Sequence, residues 1–367
     1  MLELHENIIS LSPSDCTPAL IKHCEAEYRE RLDSTASLIC ERVRGGSAPQ
    51  LIALSGPSCS GKTTTVEKLR TELAACGLRV FRVSIDDFFL TSEASPDVSG
   101  YSEANGELDL DSEDAMDILE FECFTAAVLR GETAELPQFD FGLQRRSGFR
   151  SVDSSAYDVF IFEGIQASYP SVRRVISPAS PLFIFTDAAS GVRIGDTEFS
   201  ARRLRLMRRL LRDRLFRSAS VEFTLQVWAG VVRNEQSSIY PARRYADALI
   251  DSSLAYEVCV LKQPLAELLR AVSATSPLYP DVRGLLDALD SVPSLSPSEV
   301  PADSMLREFI GDMPTARHGV YPRTAAHQPQ QLHPRAAEHP TLHTMPPHIC
   351  TAAHPLPHKR NGLKGFI

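Results

Sequence analysis

The run Gly56, Pro57, Ser58, Cys59, Ser60, Gly61, Lys62, Thr63 fits the pattern GxxxxGK[ST] without substitution, and Thr64 follows it. Leu51 to Ser55, five apolar or small residues, lead into the run, and a helix-forming stretch from Thr64 to Cys76 leaves it. Strand, loop and helix in that order are the setting of a phosphate-binding loop. In such a loop the backbone N–H groups face phosphate oxygens at a helix N-terminus, a position set for ATP. Lys62 then reaches the β- and γ-phosphates, and the Thr63 hydroxyl meets Mg2+. The rest of the chain has to supply the sheet that carries this loop.

Unbroken apolar runs do so. Tyr157 to Phe162 and Pro181 to Phe185 read as strands covered on both faces, hence parallel, and alternate with helical stretches. The fold class is therefore α/β, a P-loop NTPase fold with a parallel sheet flanked by helices. A further strand, Leu78 to Ile85, delivers Asp86-Asp87 to the carboxyl edge where ligands bind in open α/β sheets. If the alternation of a strand persists, Asp86 lies with Arg82 and Ser84, and Asp87 with Phe81, Val83 and Ile85. Glu163, at the tip of the 157–162 strand, is a candidate for the Mg2+ shell.

The segment from Phe199 to Arg217 carries eight arginines on a helix with an apolar seam of Leu204, Met207, Leu211 and Leu215. Its acidic partner is Asp213 alone, so ion pairs along the helix leave much of the charge uncompensated. That reads as a lid that closes over a triphosphate.

Around this core, residues 17 to 44 form one amphipathic helix, capped by Thr17 and ended by Gly45-Gly46, packed as an extra layer. Thr91 to Glu107 is a loop, Ser112 caps a helix through Leu129, and Pro137 to Phe141 with Arg145-Arg146 is irregular. Ser220 to Asn234 is helical, Tyr245 to Ile250 and Tyr256 to Leu261 are short strands, and short helices follow at Pro264–Val272, Val282–Leu289 and Ser304–Ile310. From Pro314 onward Pro, Ala and His prevail without periodicity, which predicts a disordered tail. The expected division is residues 1–50, an N-terminal helical extension; 51–262, the kinase domain; 263–313, a helical C-terminal extension; and 314–367, the tail.

Composition narrows the partners. The net charge of −9 includes a basic tail with six Lys/Arg against one acid, leaving about −14 on the body, which argues against nonspecific nucleic-acid binding. No apolar run is long enough to span a membrane, and the start lacks a signal-like pattern. Eight cysteines without a CxxC pair suggest neither a disulfide framework nor a zinc site and point to a reducing cytoplasm. The expected partner is a small-molecule substrate, with no nucleic acid and no membrane; homo-oligomerisation is left open.

Several further pieces occur in a fixed order: Ser84-Ile85-Asp86-Asp87-Phe88-Phe89, Leu136-Pro137-Gln138-Phe139-Asp140-Phe141, Asp158 through Ile165, Arg208-Arg209-Leu210-Leu211-Arg212-Asp213 and Tyr245-Ala246-Asp247. With the phosphate loop, they make the chain resemble the uridine kinase branch of the phosphoribulokinase/uridine kinase family. Tyr256 to Lys262 and Ser304 to Gly311 resemble the C-terminal extension of a bacterial nucleoside kinase subgroup, so the likeness runs roughly from Leu51 to Gly311. The resemblance implies an ATP- and Mg2+-dependent kinase acting on the 5′-hydroxyl of a pyrimidine ribonucleoside, uridine or cytidine. It implies Asp86 as the base, with Lys62, Arg209 and Arg212 on the transferring phosphate. Asp111 and Phe139 would face the nucleoside, Glu163 would serve metal and acceptor, and Arg217 would belong to the lid. Two departures bear on the acceptor: Phe139 and Gln144 stand where family members place a tyrosine and a histidine, and Arg217-Ser218-Ala219 replaces Arg-Gly-Arg. Other readings are a kinase for another hydroxyl, such as a sugar phosphate or pantothenate, and a nucleotide-binding regulator without turnover.

Overall fold

The structure is a computed structural model, described here for residues 7–46, 49–91, 110, 112–141, 143 and 145–311. Residues 92–109, which hold most of the stretch expected as a loop (Thr91 to Glu107), Asp111, Gln144 and residues 312–367, where the sequence predicts a disordered tail from Pro314 onward, lie outside the described residues.

Strand β1 (Asn7–Leu11) and helix α1 (Pro18–Arg44) precede β2 (Gln50–Ser55), which runs into the phosphate loop and α2 (Lys62–Ala75). β3 (Val80–Ser84), α3 (Ile118–Leu129), the strands β4 (Thr133–Asp140) and β5 (Arg145–Asp153), β6 (Val159–Glu163), α4 (Pro170–Ile176) and β7 (Leu182–Asp187) follow. Next come β8 (Ser190–Ile194), β9 (Thr197–Phe199), α5 (Ala201–Arg217), α6 (Val221–Asn234), β10 (Ala248–Asp251), α7 (Glu257–Arg270), α8 (Tyr279–Asp290) and α9 (Arg307–Ile310).

The central sheet has five strands in the order β10-β7-β2-β6-β3, every neighbouring pair parallel. Alternation along β2 explains the layers. Ile52 and Leu54 enter a core shared with α1, α2, α5 and α7, while Leu51 and Ala53 enter a second core with α3 and α4. α1 packs on α2, and its buried Tyr28 hydroxyl shares a 2.7 Å hydrogen bond with Thr65. Among the described residues, no helix is long and apolar enough to cross a membrane.

Several local expectations change. Most of the stretch expected to be irregular is strand: Pro137 to Asp140 ends β4 and Arg145-Arg146 opens β5 in an antiparallel pair, with a bulge between Gln138 and Phe139, and Phe141 lies in the turn beyond β4. Pro137 and the nearby charges hid an alternation that buries Ala134, Leu136 and Phe139. Ser112 caps a short 3-10 turn, and a second cap, Asp117, starts α3 by accepting the Glu120 N–H at 3.1 Å. Tyr256 to Leu261 is not a strand: Glu257 onward is the first half of α7, which carries Pro264 inside it, so a boundary at 262 falls within a helix. A fully buried apolar run has no period from which strand and helix can be told apart. The sheet β1-β8-β9 is not legible in the sequence: β1 buries none of its residues fully, β8 mixes Ser, Gly and Arg with its apolar residues, and β9 has three residues, so none shows the unbroken apolar run of the central strands.

Candidate active site

The loop between β2 and α2 is pressed against the neighbouring strand. A Cβ placed on Gly56 would fall 1.9 Å from the Thr186 carbonyl oxygen of β7, so only glycine fits. Gly61, at φ +79°, forms the N-cap of α2 in the left-handed region. Lys62 folds back over its own loop, its Nζ donating to the carbonyls of Gly56 at 3.0 Å and Pro57 at 2.8 Å. Burial holds this ammonium below its ordinary pKa, and Glu163 pulls it back up. Ser60, fully buried in the loop, has a hydroxyl without a partner, an orphan that a phosphate oxygen would satisfy.

α5 lies across the loop, and its arginines divide into two sets. Arg205 and Arg208 are fully buried. Arg205 grips Glu235 in a bidentate pair at 2.5 and 2.8 Å and donates to the Ser58 carbonyl at 3.2 Å. Arg208 grips Glu257 at 2.6 and 2.9 Å and donates to the Cys59 carbonyl at 3.2 Å. These two brace the loop from behind. Much of the positive charge is thus absorbed by acids from elsewhere in the fold, contrary to the reading in which Asp213 stood alone. Leu215, placed in the apolar seam, is 51% exposed.

The second set faces the cavity. Arg209 donates to the Ser58 hydroxyl at 3.2 Å and to Asp213 at 3.2 Å, Arg212 reaches the same hydroxyl at 3.4 Å, and Arg217 meets Asp213 at 3.0 Å. Burial and the neighbouring Arg212 depress the Arg217 guanidinium to about 10. Arg212 keeps a buried Nε without a partner. Asp213 is the carboxylate nearest to all three of these cations, at 3.2 Å from Arg209, 3.9 Å from Arg212 and 3.0 Å from Arg217, an arrangement that an anion would complete.

Asp86 lines the same cavity as Ser58, Arg209, Arg212 and Arg217. The alternation expected for it does not hold, because β3 stops at Ser84 and Ile85–Phe88 form a 3-10 turn. That turn separates the two acids. Asp87 accepts the backbone N–H of Phe139 at 3.3 Å, and burial raises its carboxyl to about 6.

Glu163 ends β6 beside Leu54 of β2, and its Oε1 accepts from Arg82 of the adjoining strand at 2.5 Å. It is already engaged by a side chain that the sequence placed with Asp86. The Thr63 hydroxyl in the first turn of α2 and the Glu163 carboxylate are hard oxygen donors, which suits Mg2+ arriving with its phosphates. Phe139 is buried against Phe89 and Phe141, with ring centroids 5.6 and 5.0 Å away, and those two rings line the cavity instead. Gln166, missed in the sequence, also lines it, with its Oε1 unpartnered and its Nε2 donating to the Leu110 carbonyl at 2.7 Å. Its position just past the β6 tip was the available signal.

Over 208 residues the chain is 32% identical to a chloroplastic uridine/cytidine kinase of Arabidopsis thaliana, and over 206 residues 28% identical to uridine kinase-like protein 4 of that plant. Each match covers 55% of this chain, and respectively 37% and 38% of the relative, so the chain spans well under half of either. Among solved structures, a possible uridine kinase from Bacillus stearothermophilus aligns with a TM-score of 0.41 at 17% identity, over 61% of this chain and 100% of that one. Residues 51–258, the stretch that holds the phosphate loop, Asp86, Glu163 and the α5 arginines, match the profile of the phosphoribulokinase / uridine kinase family, to which this chain belongs.

Proposed function

We propose that this protein transfers the γ-phosphate of ATP to the 5′-hydroxyl of a pyrimidine ribonucleoside, uridine or cytidine. The observation that carries the reading is the convergence on one cavity of a phosphate-loop hydroxyl (Ser58), three arginines (Arg209, Arg212 and Arg217) and a strand-tip carboxylate (Asp86). Phosphoryl transfer needs this division of labour: cations for the charge on the moving group, and a carboxylate to hold the acceptor hydroxyl and take its proton. Lys62 would leave the loop carbonyls for the phosphates, and Thr63 with Glu163 would hold Mg2+, which supplies further charge neutralisation when bound. Phe89 and Phe141 offer an apolar wall and Gln166 a polar group for a base. The cavity, at about 160 Å³, is smaller than ordinary ligand sites. The names of the Arabidopsis relatives favour uridine and cytidine over other acceptors.

The test is ADP release with MgATP and a panel of acceptors: uridine, cytidine, a sugar phosphate and pantothenate. Turnover should depend on a pyrimidine ribonucleoside, and Lys62→Ala should weaken ATP binding sharply without lowering the melting temperature. Normal turnover by Lys62→Ala would refute the phosphate-loop assignment. ADP release with a different acceptor would replace the substrate, and nucleotide binding without acceptor-dependent release would point to a regulator.

A further inference from the structure

Residues 303–311 lie against the phosphate loop. Met305, Leu306 and Phe309 are fully buried, and a Cβ on Gly61 would fall 2.8 Å from the Met305 Cγ. The Arg208 guanidinium sits 5.5 Å from the centroid of the Phe309 ring, and Asp303 meets Lys68 of α2 at 3.1 Å. This segment brings one carboxylate to the phosphate-binding end of α2. The Thr64 hydroxyl donates to Glu308 Oε2 at 3.0 Å, and Glu308 Oε1 lies 4.0 Å from Nη1 of Arg212. Its charge also acts on Lys62 and Arg208.

We propose that Glu308 is an internal competitor for the phosphates of the donor nucleotide and thereby sets the affinity for ATP. The inference rests on reading the loop as a triphosphate site. Thr64 stands in the first turn of α2, where backbone N–H groups and the helix dipole favour an anion, and Arg212 faces the cavity. A phosphate arriving there meets a carboxylate already on two of the same groups. Glu308 has to turn away, or else remain and repel the phosphate. In the first case the apparent affinity is reduced by the fraction of molecules whose phosphate site is open, and in the second the repulsion weakens binding directly. The buried Met305, Leu306 and Phe309 anchor the backbone, so the side chain of Glu308, 18% exposed, is the part free to respond.

Glu308→Gln tests the idea, because glutamine keeps the size of the side chain and an acceptor for the Thr64 hydroxyl while losing the charge. Calorimetric titrations of wild type and E308Q use MgATP and, in parallel, inorganic tripolyphosphate, which lacks a base. E308Q should bind both at least about fivefold more tightly, with the KM for ATP falling in the same ratio and the unliganded melting temperature little changed. Equal or weaker binding by E308Q, while wild type binds MgATP in a manner that Lys62→Ala weakens, would overturn the inference alone. A gain for MgATP without one for tripolyphosphate would also overturn it, since the competition would not be for phosphate. Failure of both proteins to bind MgATP would overturn the triphosphate reading and the inference together. Should E308Q not fold, Glu308→Asp withdraws the carboxylate by one methylene and is judged by the same ratios.

Discussion

Asp86 and Asp87 are sequence neighbours with different surroundings, and their difference is the sharpest consequence of the site. Asp86 lines the cavity beside the arginines, while Asp87 turns to the Phe139 N–H and is raised to about 6 by burial. Asp86→Asn should retain ATP affinity while kcat falls by about two to four decades, the usual worth of a positioned base, and Asp87→Asn should cost kcat less. Side-by-side steady-state kinetics check it; a larger loss at Asp87 would reassign the base. Asp87 makes a separate mark on stability. Its folded carboxyl keeps a proton that the unfolded chain releases near 3.8, so the stability it contributes is full below that pH and is lost as the pH rises to about 6. Asp87→Asn lacks this loss and should gain on wild type across that rise, measured by melting curves at about pH 4 and pH 7. No gain would mean that the Asp87 carboxyl is solvated. Sequence spacing located both acids at the strand tip, but the 3-10 turn that parts them depends on where β3 stops pairing.

At the scale of elements, α5 is both a brace and a wall of the site. Its buried ion pairs reach Glu235 and Glu257, 30 and 49 residues further along the chain. A helical wheel drawn on α5 alone cannot contain them, which is why the helix read as uncompensated charge. Removing one partner of a buried pair leaves the other charged and desolvated. Glu257→Gln should therefore cost about 3–5 kcal/mol in denaturant unfolding, and Arg208→Met a similar amount. The double variant should lose less than the sum of the two. Additive losses would show that Arg208 and Glu257 act independently.

Across the whole molecule, the last described residues close the core around the phosphate loop. A protein ending at Met313 keeps every contact described here, and its melting temperature and ADP release should match the full chain. One ending at Ala302 loses the fully buried Met305, Leu306 and Phe309, worth together about 5 kcal/mol or more, a large share of a typical domain's stability. It should melt far lower or fail to fold. Equal melting of the two truncations would show that residues 303–311 are not part of the folded body.

The local order of residues was enough to determine the phosphate loop, the strand before it and helix after it, the long α1, and the buried parallel strands. Each of these is signalled by neighbours in the chain: glycines spaced for a tight turn, a 3.6-residue apolar stripe, an unbroken apolar run. Tertiary structure alone decided the β4–β5 pairing, the helical state of residues 257–270 and the acids that neutralise α5. It likewise decided that Phe89 and Phe141 line the cavity while Phe139 packs against them, and that Glu308 meets Thr64. In these cases the deciding partner is distant in sequence, and its hydrogen bond, charge or buried surface exists only once the chain has closed on itself.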